Sequence, residues 1–180
     1  MTTAKNYTKG RQGHSIQVLV LHTAENQELP GQAVHLGQWF AGATAPQSSA
    51  QEMIDNKVVV VSVDDVDTAW SDDDFPMNLV SKNYEMTGHA SNTAAQWADA
   101  YETAVIHLTE GEFKKDMAKY KIPAHHLTDA EIVAIHNGNK VLKGIATHAD
   151  ISRALKIVGG HSDPGVNFPL AAFIKVIQTK

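Results

Sequence analysis

A short run of branched apolar residues that ends in a histidine constrains the fold of this chain more than any other feature. Residues 15–21 read SIQVLVL, and His22 follows them directly. A continuous apolar run of this length is typical of a strand buried on both faces, because a strand with one solvated face alternates apolar and polar residues. We therefore predict a buried strand that carries His22 at its carboxyl end.

Strand and helix patterns are mixed along the rest of the chain, and this order predicts an α/β fold. Apolar residues recur at helical spacing in four segments, 31–42, 92–108, 128–138 and the segment that follows Pro169. Shorter apolar runs predict two strands joined by a turn within 51–63, and one strand each within 81–87 and 144–148. Elements in this order indicate a sheet that is covered by helices on its faces.

The same patterns predict the environment of individual side chains. Trp39 and Trp97 lie on helical stripes, so we expect both in the core. The run at 58–61 consists of four valines and is predicted to be a strand buried on both faces. The acidic run at 72–74 is expected to be a solvated loop, because it lacks the alternating ligands of a calcium loop. Trp70 is expected either to line a substrate groove or to belong to the core or its rim.

Composition excludes several classes of protein. The formal net charge of the 180 residues is −5, so we expect no dominant basic surface for nucleic acid. No apolar stretch has the length of a membrane span, and residues 1–14 are polar, unlike a signal peptide. We expect a polar segment over 1–14 and one domain over 15–180, with neither nucleic-acid nor membrane partners. We expect the protein to be a monomer that is made in the cytoplasm.

The chain has no cysteine, so any metal ion must be held by histidine, aspartate or glutamate. Three such residues lie at predicted strand ends or in a tight loop: His22, His148 and Asp163. Together they would supply a catalytic zinc ion with three ligands and leave a fourth position open. Spacing alone leaves a structural role open, because a lone strand-end histidine is more commonly structural and no His-Glu-x-x-His motif is present.

Four segments resemble the type 2 N-acetylmuramoyl-L-alanine amidases, a family that includes phage lysins, cell-wall recycling amidases and peptidoglycan recognition proteins. They are Leu21-His22-Thr23, residues 78–88, Gly144-Ile145-Ala146-Thr147-His148 and Asp163-Pro164-Gly165-Val166-Asn167-Phe168-Pro169. The last segment is the most specific, and the chain is most similar to mycobacteriophage endolysin catalytic domains. The resemblance implies a mixed central β-sheet flanked by helices on both faces, as in the peptidoglycan recognition proteins.

The resemblance also implies a role for each of five residues. His22, His148 and Asp163 fall on the zinc ligands of the family. Glu85 falls on its catalytic glutamate, although the segment around Glu85 lacks the glycine and two aliphatic residues of the family pattern. His161 falls where the recycling enzymes usually have a lysine, and a protonated histidine there would donate to the tetrahedral oxyanion.

The implied function is zinc-dependent hydrolysis of the amide bond between N-acetylmuramic acid and L-alanine in bacterial peptidoglycan. An endolysin of this kind is made in the host cytoplasm and acts on the cell wall after release. Two alternatives stay open: a non-catalytic peptidoglycan-binding module, and a zinc peptidase that cuts within the stem peptide. Non-catalytic members of the family typically lack a metal ligand, whereas this chain has all three residues.

The histidine at position 161 leads to a prediction about pH. Because a histidine loses its charge near neutral pH and a lysine does not, we expect activity to fall more sharply on the alkaline side than in lysine-bearing relatives. The measurement is the pH–rate profile of peptidoglycan hydrolysis. A flat profile between about pH 6 and 8.5 would contradict this role of His161.

Overall fold

The computed structural model describes residues 3–179, which form one five-stranded sheet and seven helices. The strands are β1 (Val18–Thr23), β2 (Glu52–Ile54), β3 (Val59–Val61), β4 (Ser81–Met86) and β5 (Gly144–Thr147). The helices are α1 (Gln32–Ala41), α2 (Phe75–Val80), α3 (Ala94–Trp97), α4 (Ala100–Tyr120), α5 (Asp129–His136), α6 (His148–Leu155) and α7 (Leu170–Gln178).

The sheet is mixed, and β1 lies inside it between β4 and β5. The strand order is β3-β2-β4-β1-β5, and every neighbouring pair is parallel except β2 with β3. All six residues of β1 are buried, which confirms the predicted buried strand. Because β1 is paired on both sides, its position relative to β4 and β5 is set by two ladders of hydrogen bonds.

Helices cover both faces of the sheet. Leu19 and Leu21 pack into one core cluster with residues of α4 and α7, such as Phe113. Val18 and Val20 pack into a second cluster with residues of α2, α5 and α6. Successive side chains of a strand point to opposite faces of the sheet. A strand whose two faces are both covered by helices therefore carries apolar residues in succession instead of alternating apolar and polar ones. The predicted α/β fold, with a mixed sheet flanked by helices on both faces, is confirmed.

Three elements differ from the sequence predictions. β3 is an edge strand that pairs with β2 alone and is only half-buried, so the prediction of burial on both faces is wrong. The helical segment at 92–108 contains two helices, because Asp99 caps a new helix by accepting from the backbone N–H of Glu102. The sequence did not predict α2 and α6. α2 has six residues, too few to show a helical repeat, and α6 begins at His148 with no loop after β5.

The polar N-terminal segment packs against the rest of the structure from residue 3 onward. Ala4 is buried, and Thr8 and Thr68 exchange backbone hydrogen bonds of 2.9 and 2.8 Å. The Arg11 guanidinium donates to the carbonyl oxygens of Leu79 in α2 and of Ser81 at the start of β4. Among the helices of residues 3–179, none has both the length and the apolar character needed to cross a bilayer.

A buried ion network lies on the α4 face of β4. The ammonium group of Lys82 lies 2.7 Å from Glu52, 3.0 Å from Asp65 and 2.7 Å from Asp116. Burial would lower the pKa of Lys82, but the three carboxylates raise it above its ordinary value. Removing one partner from such a network is costly, because the remaining charges stay buried.

We expect Lys82→Met to lower the free energy of unfolding at pH 7 by about 3–5 kcal/mol, because Glu52 and Asp116 then stay buried without a counter-charge. Urea denaturation measures the difference. The control is Lys115→Met, since Lys115 is exposed and its pair with Glu112 contributes at most about 1 kcal/mol. If Lys82→Met lowers the free energy of unfolding by less than about 1 kcal/mol, the ion network contributes little to stability.

Candidate metal centre

The carboxyl ends of β1, β4 and β5 meet at one edge of the sheet and carry three of the predicted site residues. The parallel register pairs His22 of β1 with Glu85 of β4. On the other side of β1, β5 ends at Thr147, and His148 begins α6. A capping box between Thr147 and Asp150 fixes that helix start. Strand pairing therefore brings together two histidines that are 126 positions apart in the sequence.

Asp163 reaches the same edge from the loop that follows α6. Its backbone carbonyl accepts a hydrogen bond of 3.0 Å from the N–H of Ala149, and its Oδ2 accepts one of 3.2 Å from the N–H of Thr23. Gly165 lets this loop pack tightly: its φ is +94°, and a Cβ there would lie 1.9 Å from the carbonyl oxygen of Ala90. The loop is therefore held against α6, β1 and the segment after β4.

Three buried donor atoms converge at this edge: Nδ1 of His22, Nδ1 of His148 and the carboxylate of Asp163. The two nitrogens lie 3.1 Å apart, and the carboxylate oxygens lie 3.5 Å from His22 and 3.3 Å from His148. A tetrahedral zinc ion with bonds of about 2.0–2.1 Å has donor–donor distances of about 3.3 Å. The spacing of the three donors therefore suits a metal ion of this kind.

The charges of the group depend on one another. Burial would lower the pKa of His22, but the nearby carboxylates of Asp163, Asp72 and Glu85 raise it well above its ordinary value. Burial lowers the pKa of His148. Burial would raise the pKa of Asp163, but hydrogen bonds from the two histidines hold it below its ordinary value. The three side chains therefore form one buried group in which two histidines face one carboxylate.

Glu85 lies beside the three donors in the cavity that they line. Most of its side chain is buried, and this burial raises its pKa to about 7. The charge of His22 lowers the pKa of Glu85, and the charge of Asp163 raises it. A carboxyl group that titrates near neutral pH, next to a possible metal site, has the properties of a general base.

His161 covers the outer side of His148. The two rings stack with their centroids 4.1 Å apart and an interplanar angle of 12°. The Nδ1 atom of His161 lies 3.4 Å from Asp163, and its Nε2 lies 3.2 Å from Asp73. About half of the His161 side chain, 51%, is exposed, so it can reach a molecule in the cavity. The structure brings all five predicted site residues to this one cavity: His22, Glu85, His148, His161 and Asp163.

Aromatic side chains form part of the cavity wall. Trp39, Phe40 and Trp70 line it, and the indole N–H of Trp70 donates to the Thr8 hydroxyl at 2.9 Å. Trp39 is 51% exposed, so its prediction as a core residue is wrong, whereas Trp97 is buried as predicted. Helical spacing placed Trp39 beside the buried stripe of α1, and only the packing of α1 against the sheet shows that its indole is left outside.

The sequence did not predict the residues on the far side of His22. Nε2 of His22 lies 2.9 Å from Oδ1 of Asn83 and 3.5 Å from Oδ1 of Asp72. Asp72 is fully buried, so the prediction of a solvated loop is wrong for Asp72, while it holds for the exposed Asp73. The alternation of β4 places Asn83 on the face of Glu85, but no local pattern connects Asp72 with His22.

No protein-family model matches this sequence, and no curated protein does so at a significant level. Solved structures match over nearly the whole chain. An AmpD derivative is 16% identical, with 97% of this chain and 91% of that chain covered and a TM-score of 0.65. A mutant endolysin from Bacillus subtilis is 14% identical, with 98% and 96% covered and a TM-score of 0.62. The N-acetylmuramoyl-L-alanine amidase LysC from Clostridium intestinale URNW is 11% identical, with 100% and 95% covered and a TM-score of 0.60.

These likenesses define the class of fold. The chain has the fold of the N-acetylmuramoyl-L-alanine amidases and endolysins, from the first strand to the last helix. At 11–16% identity the likeness concerns the fold alone. Within that fold, the buried group of His22, His148 and Asp163 could hold a metal ion.

The raised pKa of Glu85 predicts that this residue destabilises the folded protein at neutral and alkaline pH. A carboxyl group whose pKa is about 7 when folded and 4.5 when unfolded lowers stability as the pH rises through that window. We expect metal-free Glu85→Gln to match the metal-free wild type at pH 4 and to exceed its unfolding free energy at pH 8 by up to about 3 kcal/mol.

Chemical denaturation in the presence of a chelator measures both proteins. Glu131→Gln is a control in which the free energy of unfolding should fall instead of rise. Glu131 caps α5, and the hydrogen bonds that it accepts there lower its pKa to about 2. If the free energy of unfolding of Glu85→Gln does not exceed that of the wild type at pH 8, the environment of Glu85 does not disfavour its charged form.

Proposed function

We propose that this chain is a zinc-dependent N-acetylmuramoyl-L-alanine amidase, which hydrolyses the amide bond between N-acetylmuramic acid and L-alanine in bacterial peptidoglycan. The observation that carries the proposal is the convergence of three buried donor atoms at 3.1–3.5 Å from one another. A shared fold with a solved N-acetylmuramoyl-L-alanine amidase supports the class of substrate.

The donor set favours zinc among the common metal ions. Two imidazoles and one carboxylate suit zinc, whereas magnesium and calcium prefer oxygen ligands alone. His22, His148 and Asp163 would hold the ion and leave one position toward the cavity, as catalytic zinc sites do. A zinc ion bound there supplies Lewis-acid chemistry: it polarises the scissile carbonyl and lowers the pKa of the attacking water.

Glu85 is the proposed general base. It accepts a proton from the attacking water and passes that proton to the leaving amine of L-alanine. The cavity that the three donors line also contains the Glu85 side chain, so its carboxyl group lies where a general base is needed. Strand pairing with β1 holds Glu85 next to His22, so its distance from the reacting atoms is set by the sheet rather than by a loop.

His161 is the proposed donor to the oxyanion that forms when the carbonyl is attacked. The contact of 3.2 Å with Asp73 and the stacking on His148 hold its ring at the mouth of the cavity. Donors placed in advance stabilise developing charge because no reorganisation is needed at the moment of reaction. Trp39 and Trp70 offer aromatic faces for the sugar or the peptide.

Two other functions use the same cavity. A non-catalytic peptidoglycan-binding module would need neither a full donor set nor a carboxyl group of raised pKa, so the presence of both favours hydrolysis. A zinc peptidase that cuts within the stem peptide would use the same metal chemistry, and the products of the reaction separate it from an amidase.

We further propose that residues 15–180 form the catalytic domain of a phage endolysin of the mycobacteriophage type. Such a protein would be made in the host cytoplasm, would act on the cell wall as a monomer after release, and would have peptidoglycan as its partner. The fold shared with a solved endolysin supports the endolysin class, and the overall resemblance of the sequence to mycobacteriophage endolysin domains motivates the proposed origin.

The products released from purified peptidoglycan test the function directly. We expect mass spectrometry to show stem peptides with a free amino-terminal L-alanine. A chelator should abolish their release, and added zinc should restore it, because the proposed reaction depends on a metal ion to polarise the carbonyl and lower the pKa of the attacking water. Cuts between stem-peptide residues would identify a peptidase, and binding without products would identify a binding module.

Substitutions test the individual roles. We expect Glu85→Gln to lower kcat by about 10²–10⁴-fold with unchanged zinc content, because the general base is lost while the ligands remain. His161→Ala should lower kcat by about 10²–10³-fold. His107→Ala is the control, because His107 is an exposed histidine of α4 that pairs with Glu110 and is not among the residues that line the cavity. A Glu85→Gln protein with wild-type kcat would exclude Glu85 as the base.

A further inference from the structure

The Nε2 atom of His22 faces away from the three donors and toward buried polar groups. Asn83 lies 2.9 Å from it and Asp72 lies 3.5 Å from it, and both side chains are completely buried. A histidine that binds a metal ion through Nδ1 must keep its proton on Nε2. The groups around Nε2 therefore decide whether the Nδ1 lone pair is available to a metal.

Ser81 connects Asp72 with Asn83. Its hydroxyl lies 2.5 Å from Oδ2 of Asp72 and 3.0 Å from Nδ2 of Asn83. A serine hydroxyl has one proton to donate, and its oxygen can accept a hydrogen bond at the same time. The Ser81 proton therefore goes to Asp72, and the Ser81 oxygen accepts a hydrogen bond from the amide group of Asn83.

A second contact fixes the same orientation of Asn83. Oε1 of Gln51 accepts the backbone N–H of Asn83 at 2.9 Å, and it also lies 3.4 Å from Nδ2 of Asn83. Both contacts direct the NH₂ group of Asn83 away from His22 and its carbonyl oxygen toward His22. Because that oxygen can only accept, His22 must carry its proton on Nε2, and its Nδ1 faces His148 and Asp163.

We propose that Asp72 is a positioning residue for the metal centre: through Ser81 and Asn83 it holds His22 in the tautomer whose Nδ1 atom binds the metal ion. The proposal rests on the proposed function only in that His22 is taken as a metal ligand. Outer groups of this kind typically change metal affinity by about 10–100-fold when they are substituted.

The backbone holds Asp72 in place for this role. Oδ1 of Asn78 accepts the backbone N–H groups of Ser71 and Asp72, each at 2.9 Å. Two residues after Asp72, the side chain of Asp74 caps α2 by accepting from the N–H of Met77. The start of α2 therefore fixes the segment that reaches His22.

The second histidine of the metal centre has no such support. Nε2 of His148 is buried, and it has no hydrogen-bond partner among residues 3–179. His22 is thus the ligand whose tautomer the protein fold sets in advance, whereas the orientation of the His148 ring depends on its stacking with His161 and on the metal ion itself.

The test compares Asp72→Asn and Ser81→Ala with the wild type. The two quantities measured are the zinc affinity and the position and exchange rate of the proton on the His22 ring. An asparagine at position 72 can donate to Ser81, which allows the chain of hydrogen bonds to reverse and Asn83 to turn its NH₂ group toward His22. Ser81→Ala keeps the carboxylate and removes the link. We expect both to weaken zinc binding by about 10–100-fold in competition with a fluorescent chelator.

Nuclear magnetic resonance of the zinc-loaded proteins supplies a readout that a general loss of stability would not change. Long-range ¹H–¹⁵N spectra should place the His22 proton on Nε2 in the wild type, with slow exchange against water, and exchange should be faster in both variants. Asp116→Asn is the matched control: it alters a buried aspartate of α4, which packs against the opposite face of β4, and should change neither zinc affinity nor proton exchange.

Unchanged zinc affinity in both variants, or a wild-type His22 proton on Nδ1, would overturn the proposal. Ser81→Ala keeps the test decisive if Asp72→Asn folds poorly, since it introduces no new polar group. Neither measurement needs a substrate. A wild type that binds zinc tightly but releases no stem peptide would therefore overturn the proposed function and leave the role of Asp72 standing.

Discussion

The parallel pairing of β1 with β4 and β5 is the constraint on which the rest of the site depends. It places the carboxyl ends of three strands at one edge of the sheet, where His22, Glu85 and His148 meet. The pairing is stable because helices bury both faces of β1. A shift of one residue in register would turn His22 to the opposite face, so the packing of the core and the geometry of the site are set together.

The two faces of β4 carry buried charges that are balanced in different ways. On the α4 face, the ammonium group of Lys82 lies within 3.0 Å of three carboxylates. On the other face, Asp163 lies 3.5 Å from His22 and 3.3 Å from His148, and these three side chains could hold a metal ion. The first arrangement pairs charges within the protein, whereas the second is a set of donors that could bind an ion from outside.

The acidic run after Trp70 shows how one stretch of like residues can serve three purposes. Asp72 is buried beside His22, Asp73 is exposed and contacts His161, and Asp74 caps α2. Asp73 also adopts a left-handed backbone conformation, with φ +51°, which is uncommon for a residue other than glycine. The start of α2 thus holds a short segment that contacts His22 through Asp72 and His161 through Asp73.

Features that depend on neighbours along the chain can be predicted from the amino-acid sequence. The apolar run predicted β1, the helical spacing at 128–138 predicted α5, and the family resemblance singled out five of the residues that line the cavity. The tertiary structure was needed to establish the strand order, the edge position of β3, the exposure of Trp39 and the burial of Asp72. These depend on contacts between segments far apart in the chain, and hydrophobic periodicity records which face of an element is apolar but not which element will cover it.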